Sequence, residues 1–211
     1  MDVLWGVTAA VPGALCGVFA ARRYAYFAGR TAFAAALLFV CIYLRLGITP
    51  GLPLWLAAGG LLVFVSVSDL KTGYIPDLYV ILLAALGAVW QLLSFLADTA
   101  VLPLWDALLG AACGALPLLL VHLLVRKLWQ KEAFGFGDVK LMAACGLLLG
   151  WRLALLSLCA GVVLGGFAAA LLLAARKAKR DDMLPFGPFL SIGVIAAALW
   201  GDVFFKWFFA L

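Results

Sequence analysis

LPLWDALLGAACGALPLLLVHLLVRKLWQKEAFGFGDVKLMAACGLLLG, residues 102–150, decides what kind of protein this is. From Leu104 to Val125 only Asp106 and His122 interrupt a run of apolar and small residues. That is about the length a helix needs to cross a hydrocarbon layer roughly 30 Å thick. Arg126 and Lys127 close the run, and a second, shorter apolar run reaches from Asp138 to Gly150. Open strands cannot satisfy their backbone groups in lipid, so both runs read as helices.

Working outward, the same pattern fills the chain. Breaks at charges, Gly and Pro give apolar segments at about 3–21, 31–47, 53–69, 78–97, 104–125, 138–150, 153–175 and 187–209. The segment 138–150 is short enough to be a half-helix. The composition agrees: 68% of the chain is hydrophobic and 12% charged, against roughly 45–50% and about 25% for a soluble domain. A domain this small cannot bury such an excess. The expected fold is all-α, a polytopic membrane helix bundle of about eight transmembrane segments. No repeat or linker stands out, so residues 1–211 read as one integral-membrane domain. Asp2 stands where a signal peptide carries basic residues, and Arg22 and Arg23 follow the first run, so that run is expected to stay as a first span.

The basic residues alternate by loop. Arg22, Arg23 and Arg30 follow the first segment, Lys71 the third, and Arg126, Lys127, Lys131 and Lys140 lie around the fifth and sixth. Arg176, Lys177, Lys179 and Arg180 follow the seventh, and only Arg45, Arg152 and Lys206 fall on the other side. Positive charge stays in the cytoplasm, so the loops after odd-numbered segments are expected there and both termini outside. The net charge of +5 is thus a topology signal, with no nucleic-acid partner implied. The cluster Arg176–Arg180 reads first as an anchor of that topology.

Two stretches on the basic side carry carboxylates at the edge of a span: SVSDLKTGYIPDLY, residues 66–79, and KEAFGFGDVKLM, residues 131–142. Ionisable groups at membrane depth are costly and usually functional. Asp69 ends an apolar run, near a helix C-terminus, where both the helix dipole and a low dielectric disfavour a negative charge. The alternative is a boundary carboxylate paired with Lys71. Asp138 opens an apolar helix and suits an N-cap. Yet it follows Gly135-Phe136-Gly137, and glycines there allow positive φ and close approach of an extended peptide. Pro76 and Asp77 make a good helix start, so Asp77 reads first as a cap and second as a supporting residue. Two carboxylates brought together hold one proton between them. Such a pair hydrolyses an amide without metal or covalent intermediate: one member takes a proton from water, the other donates to the carbonyl oxygen.

Other catalytic sets are missing from the sequence. His122, the one histidine, sits in an apolar run without an evident nucleophile partner. Cys16, Cys41, Cys113, Cys145 and Cys159 stand singly and form no CxxC. There is no HExxH, and the GFG run lacks the ending of a phosphate loop. No metal and no cofactor is expected.

Together these residues resemble the type IV prepilin peptidases, membrane aspartic peptidases of the GxGD class. SDLKTGYIPD, residues 68–77, is similar to the family's first block. GFGDVKLMAACGLLLGW, residues 135–151, is similar to its second, and LPFGPFLSIG, residues 184–193, to its Pro-x-Gly-Pro turn before the last span. The resemblance covers roughly residues 60–195. It implies Asp69 and Asp138 as the catalytic pair. Gly135, Gly137, Lys140, Lys71, Asp77, Pro76, Pro185, Gly187 and Pro188 are then expected to support the site or bind substrate. It also implies prepilin or pseudopilin substrates, whose short basic leader ends in Gly before a hydrophobic helix and is cut at the cytoplasmic face of the bacterial inner membrane. Larger members carry paired CxxC motifs after the first span and methylate the new N-terminus. Here that loop, about residues 22–30, holds no cysteine, so the chain resembles the short, peptidase-only type and methyl transfer is unsupported.

Two other readings compete. A presenilin-like intramembrane protease shares GxGD, but pairs it with Tyr-Asp and a Pro-Ala-Leu, whereas Asp69 follows Ser68 and no PAL occurs. A small proton- or cation-coupled transporter would use intramembrane carboxylates, but both aspartates lie on one side, which leaves no through-path.

Overall fold

Each long apolar run folds as a helix because lipid leaves its backbone no other partner. The computed structural model describes residues 2–24, 28–96, 103–129, 135–176 and 184–209. Within them lie α1 (Asp2–Arg23), α2 (Ala28–Leu46), α3 (Leu52–Thr72), α4 (Asp77–Leu96), α5 (Leu104–Trp129), α6 (Phe136–Ala174) and α7 (Gly187–Phe209), with no strand. Among the described residues six helices, α2 to α7, carry windows long and apolar enough to cross a membrane. Phe33, Phe95, Phe167 and Trp207 are exposed on the outside of the bundle. Such side chains belong against lipid tails, and the protein is a membrane-spanning helical bundle.

The count of about eight transmembrane segments is not confirmed, since six candidate spans stand among the described residues. The segments expected at 138–150 and 153–175 are both present as helices, run together within α6 as two arms that meet at Gly150 with φ 74° and ψ 170°. A residue with a Cβ avoids that conformation, so glycine lets the chain turn there without a loop. The arms lie against different neighbours. On the first, Met142 faces Gly114 and Gly146 faces Gly110, so it runs antiparallel to α5. On the second, Leu153 faces Gly201 while Gly165 faces Phe186, so it runs antiparallel to α7. The start of the first arm and the 165–174 end of the second therefore lie at the same end of the bundle, and Gly150 lies at the other. At about 1.5 Å per residue the first arm rises only some 20 Å, short of a full hydrocarbon layer.

Apolar burial between helices gains little in lipid, so close van der Waals packing must hold the bundle. A Cβ on Gly110 would run into the Gly146 carbonyl, and one on Gly146 into Gly110. The backbones of α5 and α6 touch at that crossing. Gly146→Val should therefore push the helices apart and destabilise the fold by about 1–3 kcal/mol. Thermal unfolding in detergent micelles would read this as a lower midpoint, and an unchanged midpoint would contradict the close crossing.

One end of the bundle gathers the basic side chains. Arg22, Arg23, Lys71, Arg126, Lys127, Lys140 and Arg176 lie at the end where α1, α3 and α5 finish and α6 begins, whereas Arg45, Arg152 and Lys206 lie toward the other. Lys131, Lys177, Lys179 and Arg180 fall outside the described residues.

Candidate active site

The stretch Ser68–Asp77 is built as a cap and a tight connection. α3 continues past Asp69 to Thr72, and Gly73 closes it in the left-handed conformation, φ 64° and ψ 20°, its N–H donating to the Asp69 carbonyl at 2.8 Å. The Ser68 hydroxyl donates to the Tyr74 carbonyl at 2.9 Å, and the Thr72 hydroxyl donates to the Ser68 carbonyl at 2.8 Å. These bonds fold residues 73–76 back along α3 and bury Ile75. Pro76 stands just before α4, where its lack of an N–H costs nothing.

Ile75 then meets the second stretch. A Cβ on Gly137 would lie 3.0 Å from the Ile75 Cβ. The expectation that the glycines of GFG supply positive φ is not met: Gly135 is extended at φ −64°, and the positive-φ glycines are Gly47, Gly73 and Gly150. Gly137 contributes small size instead, letting the 73–76 connection pack on the start of α6. Asp138 is not the N-cap. Gly135 holds that position, and Asp138 lies in the first turn, with its N–H bonded to the Gly135 carbonyl at 3.0 Å.

The two aspartates come together from helices far apart in the chain. Asp69 is 6% exposed and Asp138 5% exposed, and they interact through their charges. Asp69 does not pair with Lys71, which is exposed. Its Oδ2 accepts the Gly187 N–H at 2.7 Å. Gly187 is the first residue of α7, so the carboxylate uses one of the donors a helix start leaves free, and the positive end of that helix faces it. This offsets the unfavourable end of α3 on which Asp69 sits. Asp138 Oδ1 is buried with no hydrogen-bond partner among the described residues. A buried carboxylate oxygen without a partner is costly to a fold, and ionisable groups kept at such a cost at membrane depth are usually functional.

The remaining expected site residues fall around this pair. Pro188 is buried beside Gly187, and Pro185 is half-buried in the turn before α7. Lys140 lies two residues after Asp138, its Nζ 2.9 Å from Asp77 Oδ1 and over the Phe136 ring. Asp77, the first residue of α4, thus ties the start of that helix to α6. Both side chains are about half exposed, so the pair is worth roughly 1 kcal/mol or less. Asp77→Asn should lower stability by no more than that and leave activity within a few-fold, measured by unfolding and initial rates. A complete loss of activity would move Asp77 into the catalytic pair. Ser68, Thr72 and Ile75 were not expected as site residues. The signal was there in Thr72-Gly73, a helix end followed by the residue that most often closes one.

His122 is buried in α5. Among the described residues no three His, Cys, Asp or Glu side chains gather as a metal site.

Comparison with known proteins adds a second line. A sequence model of the type IV leader peptidase family matches residues 55–170. A prepilin leader peptidase/N-methyltransferase of Stutzerimonas stutzeri is 35% identical over 141 residues, 67% of this chain and 47% of that protein. One from Aeromonas salmonicida (strain A449) is 33% identical over 147 residues, 70% and 49% of the two chains. One from Pseudomonas putida is 41% identical over 100 residues, 47% and 35%. The chain spans about half the length of the first two. No solved structure gives a match.

Proposed function

The chain belongs to the type IV leader peptidase family, and from that premise we propose that it is an aspartic endopeptidase using Asp69 and Asp138. The observation that carries the reading is the meeting of these two buried carboxylates, one gripped by the Gly187 N–H and the other with an open oxygen. In the proposed reaction a water lies between them. The ionised carboxylate takes its proton as the oxygen attacks the scissile carbonyl, and the protonated one donates to the carbonyl oxygen. As the tetrahedral intermediate collapses, the proton passes to the leaving amine. The protons belong to the pair, not to either residue alone.

The proposed substrates are prepilin-like precursors, cut where a short basic leader meets an apolar helix. Such a leader stays on the cytoplasmic side by its charge. The basic end of the bundle is also the end that holds the aspartates, which supports cleavage at the cytoplasmic face of the inner membrane with both termini outside. The proposal covers the peptidase activity alone. Lys140 and Asp77 are proposed to fix the start of α6, and Gly135, Gly137 and the Pro185–Pro188 turn to shape the floor under the scissile bond. Co-expression with a precursor tests the reading. Mass spectrometry should find the leader removed only when the chain is present, and an intact leader in a correctly inserted pair would refute it.

A further inference from the structure

One flank of the bundle is not smooth. α2 and α7 meet where Arg45 Nε donates to the Leu199 carbonyl at 2.6 Å and diverge across α3 from there, leaving a groove of about 370 Å³. It starts at Leu70 and Pro188, the chain neighbours of Asp69 and Gly187, and reaches Trp200. Along α7 that is roughly 18 Å, at about 1.5 Å per residue. The lining is apolar apart from Thr31, Ser66 and Ser191. Thr31 donates to the Gly17 carbonyl and Ser66 to the Leu62 carbonyl, each within its own part of the bundle. Ser191 does not. It is 4% exposed, and its Oγ is buried without a partner among the described residues. A buried hydroxyl of this kind is destabilising until something bonds to it.

We infer that this groove seats the apolar helix of the precursor and delivers the junction with its leader to Asp69. The inference rests on the peptidase reading. Three observations select this occupant. The groove begins at Leu70 and Pro188, one residue along the chain from Asp69 and Gly187, so a helix lying in it brings the peptide bond ahead of its first turn to the neighbourhood of the carboxylate. Ala196 and Ser191 are small, and small residues let helix backbones approach closely in lipid. The Ser191 hydroxyl can bond to a carbonyl or side chain of a seated helix, whereas an acyl chain offers it no polar atom at that depth.

The test uses the full chain in phosphatidylethanolamine–phosphatidylglycerol vesicles with two substrates. One is a precursor with a basic leader ending in Gly and a complete apolar helix. The other is a soluble peptide carrying the leader and only the first few residues after it. Ala196→Trp fills the groove away from Asp69. It should lower kcat/KM for the precursor about tenfold relative to that for the peptide. Ala57→Trp, in the separate cavity between α1, α3 and α4, should leave that ratio as in wild type. An unchanged ratio with Ala196→Trp overturns the inference, as does an equal fall on both substrates. A photocrosslinker at Ile192 in the Asp69→Asn background reads occupancy without relying on turnover. Adducts with the precursor support the groove, and adducts with lipid alone overturn it. If wild type cleaves neither substrate, the peptidase reading itself falls.

Discussion

Asp69→Asn and Asp138→Asn are each expected to abolish leader removal, lowering kcat by on the order of 10³-fold or more, with the protein still folded and inserted. General acid–base groups contribute roughly 10²–10⁴-fold, and an amide can neither accept the proton from water nor share one with its neighbour. The losses should not add: the double variant should be about as inactive as either single one, because the carboxylates act as a unit. The fold should survive, since Asn at 69 keeps an oxygen to accept the Gly187 N–H and Asn at 138 relieves a buried carboxylate oxygen that has no partner among the described residues. Single-turnover cleavage of a purified precursor, with a detergent melting curve as the folding control, measures both. Near-wild-type cleavage by either single variant would end the two-aspartate mechanism.

Gly187→Ala is expected to be nearly as damaging although residue 187 carries no side chain to take part in chemistry. A Cβ there would lie 2.9 Å from Asp69 Oδ2 and 3.2 Å from its Cγ, closer than carbon and carboxylate tolerate. Either Asp69 swings away or α7 retreats, and in both cases the bond to the Gly187 N–H is stretched. Misplacing a catalytic group by about 1 Å costs roughly 10²-fold. The loss should fall on kcat, with stability little changed, because α7 is packed mainly through Leu190, Val194 and Leu199 deeper in the bundle. Unaltered kcat with Ala at 187 would mean that the N–H does not position the carboxylate.

Part of the site was legible as residues but not as geometry. Asp69 and Asp138 stood out because each put a charge at the rim of an apolar run. Gly187 stood out only within a turn motif. That its N–H would hold Asp69, 118 residues away in the chain, depends on where α7 starts relative to the end of α3. The cap reading of Asp138 failed by a few positions: Gly135 took the N-cap, and the aspartate moved into the first turn, where it faces Asp69. The pairing of Asp69 with Lys71 failed because two residues along a helix places side chains on different faces.

By itself the sequence determined that the chain is a bundle of lipid-crossing helices and that both aspartates lie at its basic end. Apolar length and the tally of Lys and Arg between runs are one-dimensional quantities, and the solvent on either side of a bilayer acts on them directly. Only the tertiary structure decided that the helices on either side of Gly150 join without a loop and that Asp69, Asp138 and Gly187 converge. Those outcomes rest on contacts between distant segments, glycine against glycine where α5 crosses α6 and Ile75 against Gly137. Such contacts exist only once the backbones have come close enough to touch.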